Sequence, residues 1–334
     1  MSYDYLIFIG RFEPFHNGHE EVVNKALALS HKVIILVGSA YQPRTLRNPW
    51  DYSEREAMIR LCFSSEANKR ILIFPLMDYT YNEPLWIRSV QQLVGGVVHN
   101  NIASHAKIGL IGRYKDSSSY YLSQFPQWGR VDVENYKNLC ATDIRLAYFT
   151  QGTLSDVHPH IARELEKFKH TPHYEQVALE QRFINSYKKG WENAPYAPTF
   201  VTVDAVVIQA GHILLIHRKA QPGKGLMALP GGFVNQHEKL KDALLRELRE
   251  ETRIKVPTPV LAGSITKQEV FDDPYRSSRG RTITHAYLLE LQGDSLPKVK
   301  GGDDASHAFW VPFGEIKPEQ MFEDHFHIIQ AMVG

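Results

Sequence analysis

The sequence predicts an α/β chain of two domains, a parallel sheet covered by helices followed by a smaller α+β domain. Three observations carry this. Apolar runs of strand length alternate with helix-period segments up to about residue 150. A β-rich pattern begins at Thr199, straight after a pair of prolines. The chain has 334 residues, more than one ordinary core organises and comfortable for two.

In chain order, Tyr5 to Ile9 is a short apolar run ending at Gly10. Gly18 to Ser30 has helical spacing, with Val22, Val23, Ala26, Leu27 and Leu29 on or near one face. Lys32 to Gly38 is a run suited to a buried strand. Ser53 and Glu56 form a capping-box signature ahead of a helix over Ala57 to Phe63. Arg70 to Pro75, Pro84 to Val94 and Lys107 to Gly112 continue the alternation, which places ligands at the carboxyl ends of the strands. Residues 151–198 are expected to form a polar helical connector, with Leu165, Phe168, Leu179, Phe183, Tyr187 and Trp191 as anchors and Pro195 and Pro198 as its end. Residues 199–334 form the second domain. Phe200 to Gln209 and His212 to His217 flank Ala210-Gly211 as a hairpin. Strands are expected at Val260 to Val270 and Thr282 to Leu291, with helices over Lys239 to Thr252 and Met321 to Val333.

Composition limits the function classes. Lys and Arg number 38 against 37 Asp and Glu, so the net charge is +1, which argues against a nucleic-acid coat or a polybasic membrane binder. The two cysteines, Cys62 and Cys140, make no disulfide framework and no zinc ligand set. No apolar run has the length to span a bilayer, and the N-terminus does not read as a signal peptide. A cytoplasmic enzyme is expected, with no nucleic-acid or membrane partner. A homo-oligomer stays open as an alternative.

Two segments carry chemistry. The first is GRFEPFHNGH, Gly10 to His19, straight after the first strand. His16 and His19 stand at the start of a helix, whose free N–H groups and positive potential favour phosphate. Gly18 lets a nucleotide approach the backbone closely. The bland alternative is a pair of solvated helix-start histidines. The second segment is Gly232 to Ile254, in which Gly232, Glu238, Arg246, Glu247, Glu250 and Glu251 stand at fixed spacing. Leu240, Leu244 and Leu248 define the buried stripe of this helix, and Glu251 and Glu247 fall on or beside it rather than opposite. Glu247 and Glu251 also repel as an i,i+4 pair. Carboxylates crowded at a half-buried edge call for a cation, and oxygen ligands favour Mg²⁺ or Mn²⁺. A solvated acidic face would put the glutamates opposite the leucines.

These residues resemble known families. GRFxPFHxGH is similar to the signature of archaeal-type nicotinamide-mononucleotide (NMN) adenylyltransferases, which implies a Rossmann-like nucleotidyltransferase domain over residues 1–150. Gly38 to Ala40 with Thr45 to Pro49, Glu54 and Arg55 resembles that family's second stretch. Lys115 to Tyr120 with Phe125 and Pro126 resembles a third, and Ala141 to Arg145 a late phosphate-binding motif. Glu13 stands where the family often has Gln, and Cys140 where it often has Ser. The resemblance implies attack of the NMN phosphate on the α-phosphorus of ATP, giving NAD. His16, His19, Arg11, Arg47 and Arg145 would share the ATP phosphates, while Gly10, Phe12, Gly18 and Thr142 complete the ATP site. Asp78, Asn82 and Trp86 would hold NMN, with the indole stacked on the pyridinium; the bland reading of Trp86 is core packing.

The second segment matches the Nudix box. The resemblance implies metal-assisted hydrolysis of a diphosphate, with Gly232, Glu247, Glu250 and Glu251 around the metal and Arg246 orienting the carboxylates. Arg253 stands where the box has Gly; a left-handed helix end suits Arg poorly, which predicts a reshaped end and lowered activity. Phe271 to His285 resembles ADP-ribose pyrophosphatases, with Arg276, Arg279 and Arg281 as candidate phosphate ligands. Asp303 or Asp304 is a weaker candidate for positioning water. Together the motifs resemble the bifunctional NMN adenylyltransferase/Nudix hydrolases, acting on ATP, NMN, NAD and ADP-ribose. Two rivals remain: transfer to another phosphorylated acceptor such as phosphopantetheine, and a Nudix domain that senses its ligand without hydrolysing it.

Overall fold

The computed structural model describes residues 2–99, 106–112, 122–134, 139–302 and 304–334. It divides into two compact units, Met1–Ala178 and Leu179–Gly334.

The first unit runs β1 (Tyr3–Gly10), α1 (Asn17–Leu29), β2 (Ser30–Val37), α2 (Tyr52–Leu61), α3 (Ser65–Asn68), β3 (Ile71–Pro75), α4 (Glu83–His99), β4 (Ile108–Gly112), β5 (Gly129–Asp132), α5 (Ala141–Gln151) and α6 (Pro159–Phe168); α7 (Pro172–Lys189) begins in it. The sheet order is β3-β2-β1-β4-β5 and every pairing is parallel. The strands are apolar on both faces because both are covered. Leu6, Phe8, Val33 and Ile35 point to one face, with Val23 and Ala26 of α1. Ile7, Ile9, Ile34 and Leu36 point to the other, with Val90 and Val94 of α4. The chain winds from β1 to β3 and then returns to β4 on the far side of β1. That reversal opens a crevice at the carboxyl end of β1, where ligands bind in such sheets.

Two expectations about this unit change. The capping box of α2 is Asp51 with Glu54, two residues earlier than Ser53 and Glu56. Asp51 is ionised and Arg44 grips both carboxylates, at 2.7 and 2.6 Å. The segment from residue 151 is also no free connector, because Ile161, Leu165 and Phe168 of α6 are buried in the first core beside Trp50 and Tyr148.

The second unit holds β6 (Thr199–Gln209), β7 (His212–Arg218), β8 (Met227–Ala228), β9 (Gly231–Phe233), α8 (Leu240–Thr252), α9 (Thr258–Gly263), β10 (Ile265–Phe271), β11 (Arg281–Glu290), β12 (Ala305–Pro312) and α10 (His325–Val333). Its mixed sheet is ordered β10-β11-β6-β7-β12, with β6 and β11 parallel. Ala210 and Gly211 both take positive φ, 48° and 73°, as a two-residue hairpin requires. One edge of β6 is shared. Its first half pairs with β9 and its end with β7, so the strands part where α8 begins to pack. The expected strand from Val260 starts only at Ile265, because Pro257 and Pro259 suit a helix start and α9 forms first. The last helix starts at His325 rather than Met321: Met321 bridges to Met227, and Glu323 sits at φ 46°, outside helical geometry.

Candidate active sites

The first site lies at the carboxyl end of β1. His16 is the N-cap of α1, and its Nδ1 accepts from the Gly18 amide at 3.1 Å. His19 closes the box in return, its Nδ1 accepting from the His16 amide at 3.3 Å. The rings stack with centroids 3.7 Å apart. A nitrogen that accepts cannot carry the proton of a neutral imidazole, so each ring carries it on Nε2. Burial pushes the His16 pKa down to about 4, against the pull of Asp156, and burial takes His19 well below its ordinary value. Both rings are therefore neutral donors at physiological pH.

Guanidinium groups surround this helix start. Arg145 is buried and donates to the carbonyls of Leu46 and Glu13 and to Thr142 Oγ1. Burial, with Arg11 beside it, lowers its pKa to about 10. Arg55 is buried and donates to the carbonyls of Arg11, Gly38 and Ser39. Burial and the neighbouring Arg47 also lower the Arg11 pKa. Like charges packed this closely make a receptor for anions. Asp78 is fastened to Ser39, whose amide and hydroxyl donate to its carboxylate at 3.1 and 2.6 Å. Asn82 caps α4 by accepting the Leu85 amide at 3.1 Å. Trp86 packs in the α4 core, 6.1 Å from Phe125. Cys140 is the N-cap of α5 and makes no side-chain cap bond, in keeping with the missing hydroxyl. Lys115 to Tyr120 lie outside the described residues.

The structure thus gathers Arg11, Arg47, Arg145, Thr142 and Asp78 into one cluster and sets His16 and His19 at the start of α1, in the chain just after the Glu13 carbonyl that Arg145 holds, while Asn82 and Trp86 belong to the start of α4. Sequence reasoning missed Arg55 as a buried organiser and Glu13 as a buried acid. Both owe their place to partners from other segments, Arg55 to the carbonyls of Arg11, Gly38 and Ser39 and Glu13 to Arg55 and Trp50.

The second site is built on the turn Leu229-Pro230-Gly231, whose backbone is pinned throughout. The Leu229 amide donates to His325 Nδ1 at 2.9 Å, the Pro230 carbonyl accepts from Ala205 at 2.8 Å, and the Gly231 amide donates to Glu251 Oε2 at 2.9 Å. Glycine is required at Gly231 by the backbone, and at Gly232 it leaves room for a carboxylate. A Cβ on Gly231 would lie 2.1 Å from the Val203 carbonyl, and one on Gly232 would lie 2.7 Å from the Glu247 carboxylate. Glu251 is buried on α8, as the leucine stripe predicts. Burial raises its pKa to about 8, helped by Glu247. Arg246 takes Glu238 in a fork at 2.7 and 2.8 Å and reaches Glu247 at 2.7 Å and Glu250 at 3.1 Å.

This donor set fits a hard cation. Glu251 and Glu247 converge on the glycine turn, all donors are oxygen, and a desolvated carboxyl next to another is what a cation relieves. Among the described residues, no three acidic, His or Cys side chains already form a coordination cluster. Arg246 meanwhile occupies Glu247 and Glu250.

Arg253 keeps the left-handed helix end, at φ 45° and ψ 32°, with its amide bonded to the Arg249 carbonyl. The expected reshaping does not occur. The three arginines of the 271–285 segment do not act as one group. Arg276 is buried in a fork to Asp324 at 2.9 and 2.9 Å, which commits it to holding α10. Arg281 turns to the Asp272 carbonyl. Arg279 lies over the rings of Phe233 and Phe322, at 5.2 and 5.9 Å. The residue that sequence reasoning missed is Arg218, at the end of β7. Its guanidinium lies 3.9 Å from the Phe322 ring, and Nε donates to the Pro222 carbonyl. Burial and Arg279 lower its pKa, while Glu323, Glu251 and Asp304 hold it up. Asp304 is exposed, and Asp303 lies outside the described residues.

Residues 7–98 match the cytidylyltransferase-like family and residues 198–332 the NUDIX domain. A nicotinamide/nicotinic acid mononucleotide adenylyltransferase of Acinetobacter baylyi is 39% identical over 187 residues, 55% of this chain and 97% of that protein. An ADP-ribose pyrophosphatase of Methanocaldococcus jannaschii is 34% identical over 157 residues, 47% of this chain and 83% of that protein. The crystal structure of a bifunctional NMN adenylyltransferase/ADP ribose pyrophosphatase from Francisella tularensis, complexed with AMP and a Mn ion, superposes with a TM-score of 0.92 at 39% identity, covering 99% of this chain and 98% of that one. With an imidazole- and guanidinium-lined crevice in one unit and a carboxylate-bearing Nudix helix in the other, the chain belongs to the family of bifunctional NMN adenylyltransferase/ADP-ribose pyrophosphatases.

Proposed function

We propose that the chain makes NAD and pyrophosphate from NMN and ATP in its first unit, and cleaves ADP-ribose to AMP and ribose 5-phosphate in its second. One observation carries the reading: a single chain holds a cluster of arginines beside a histidine-capped helix in one unit and a cluster of glutamates on a Nudix helix in the other.

In the first centre no protein nucleophile is needed, because the NMN phosphate is itself the attacking group. The work is positioning and stabilising charge. The Nε2–H groups of His16 and His19 face the ATP phosphates as fixed donors at the positive end of α1, whose first-turn amides are themselves bonded to His16 and Asp156. Arg11, Arg47 and Arg145 add positive charge, and Thr142 helps to hold Arg145 in place. Gly10, Phe12 and Gly18 shape the ATP pocket. Asp78, Asn82 and Trp86 are assigned to NMN, with Trp86 offering an indole face to the pyridinium.

In the second centre Glu247, Glu250 and Glu251 would hold divalent metal with help from Gly232. Mg²⁺ is the expected ion and Mn²⁺ the alternative. Bound there, such an ion supplies charge neutralisation and a more acidic water. Arg246 orients the glutamates, while Arg279 and Arg218 offer charge to the diphosphate. The retained left-handed turn at Arg253 supports a working box over a ligand sensor. Among the described residues no helix is long and apolar enough to cross a membrane. With both cysteines free, the reading places the enzyme in the cytoplasm.

The test is chromatography of products from purified protein given NMN plus ATP and, separately, ADP-ribose with Mg²⁺ or Mn²⁺. NAD in the first reaction and AMP in the second support the assignment. Product from phosphopantetheine but not from NMN would overturn the first half, and binding of ADP-ribose without cleavage the second.

A further inference from the structure

Glu13 is the one carboxylate among the described residues buried in the middle of the cationic crevice, and its side chain is 1% exposed. It is poorly satisfied there. Oε1 lies 3.2 Å from Arg55 Nη1 at ion-pair range, but without the alignment of a hydrogen bond. Oε2 accepts a long bond, 3.4 Å, from the Trp50 amide. Three guanidiniums face it from three elements: Arg55 on α2, Arg145 on α5 and Arg11 on the loop after β1. Arg47 faces Arg11 and Arg145 in turn, and Asp78 faces Arg11 and Arg55. The Asp78 carboxylate is already served by Ser39, whereas Arg11 Nη1 is buried with no acceptor.

We propose that Glu13 couples proton uptake to ATP binding: its carboxyl group takes a proton from solvent as the phosphates enter, leaving the surrounding arginines to the nucleotide. The proposal rests on the reading of this unit as an ATP site. The reason is competition. An ionised Glu13 and a phosphate are two anions seeking the same guanidiniums in a place poor in water, where like charges repel strongly. The acid is already poised for this, because burial lifts its pKa to about 7 despite the three arginines. A neighbouring phosphate can only lift it further. The histidines cannot supply the effect. His16 titrates near 4 and His19 well below its usual range, so both are neutral wherever Glu13 changes state. The Cys140 thiol faces Arg145 rather than Glu13.

The experiment is calorimetry of the full chain with α,β-methylene-ATP, at about pH 6.5 and about pH 8.5, in two buffers of different ionisation enthalpy, for the native protein and Glu13→Gln. At the higher pH the ligand's own phosphates are already deprotonated. The native protein is expected to take up close to ~1 proton per ligand there, and its affinity to fall on the order of tenfold between the two pH values. Glu13→Gln, an isostere with no proton to exchange, is expected to show neither effect. A purely structural role for Glu13 would change affinity equally at both pH values. Zero uptake by the native protein at the higher pH overturns the proposal even if the variant does not fold, as does the same uptake in both proteins. Absence of binding by the native protein at both pH values overturns the ATP reading, and the proposal with it.

Discussion

His16 and His19 each use one ring nitrogen for the fold, and the proposed function gives the other to a ligand, so structure and chemistry would meet in single side chains. His19→Ala removes both an Nε2–H donor and a capping acceptor. It should lower NAD synthesis by ~100-fold or more, the usual scale for losing a donor to developing charge, and leave ADP-ribose cleavage in place. Assaying both reactions on one preparation checks this. A pH prediction follows from the depressed imidazole. The folded His16 titrates near 4 and the unfolded one near its ordinary 6.5. Between these values the unfolded chain binds the extra proton, so the contribution of His16 to stability is complete above 6.5 and is lost as pH falls towards 4. His16→Asn keeps a capping oxygen and removes the titration. Its melting temperature should decline less steeply with acidity than that of the native protein. Equal slopes would contradict the lowered pKa of His16. Glu251→Gln is expected to abolish hydrolysis while NAD synthesis persists. At this scale the sequence was legible where spacing carried the information, as with the histidine pair and the Nudix glutamates. It did not show Glu13 as a buried acid, Arg55 as a buried organiser or Arg218 at the second site. Their importance comes from neighbours more than 35 residues away, such as Glu13 for Arg55 and Phe322 for Arg218, and no local pattern encodes those.

Among the elements, α8 and the glycine turn it faces decide the second site. Gly232→Ala would drive a methyl group into the Glu247 carboxylate. It should remove ADP-ribose cleavage without unfolding the unit, which circular dichroism and the product assay together would show. Arg253 holds a backbone shape that costs an L-residue about 1 kcal/mol, so Arg253→Gly should stabilise by up to roughly that amount in a urea titration, less the extra freedom glycine gives the unfolded chain. A loss of stability would mean that the Arg253 side chain, packed over Gly302, contributes more than the strain removes. Periodicity located the long helices and buried strands well, because both faces of the first sheet are covered and the leucine stripe of α8 is regular. It failed at Val260 and Met321. There, prolines and a left-handed glutamate override apolar content, and only the second of these is invisible in the sequence.

For the whole molecule, alternation followed by a β-rich half was enough to foresee two units. The boundary was less visible. α6 looks like linker because it is polar on most positions, yet three of its side chains complete the first core. Leu165→Ala should therefore cost ~2–5 kcal/mol in the first unit and reduce NAD synthesis on warming, with ADP-ribose cleavage surviving to a higher temperature. Simultaneous loss of both activities at one temperature would contradict two separately stable units. Chelation tests the second unit: EDTA should stop ADP-ribose cleavage, and adding Mg²⁺ or Mn²⁺ back should restore it.

The mutual capping of the two imidazoles has a consequence for how the first enzyme waits. Because each ring is wired by its backbone bond into a single protonation pattern, an arriving nucleotide, under the proposed function, would find the donors already aimed and have no tautomer to flip. Acidification of the surrounding medium by a unit or two would leave that arrangement untouched, so NAD supply need not falter at the histidines when a cell turns sour.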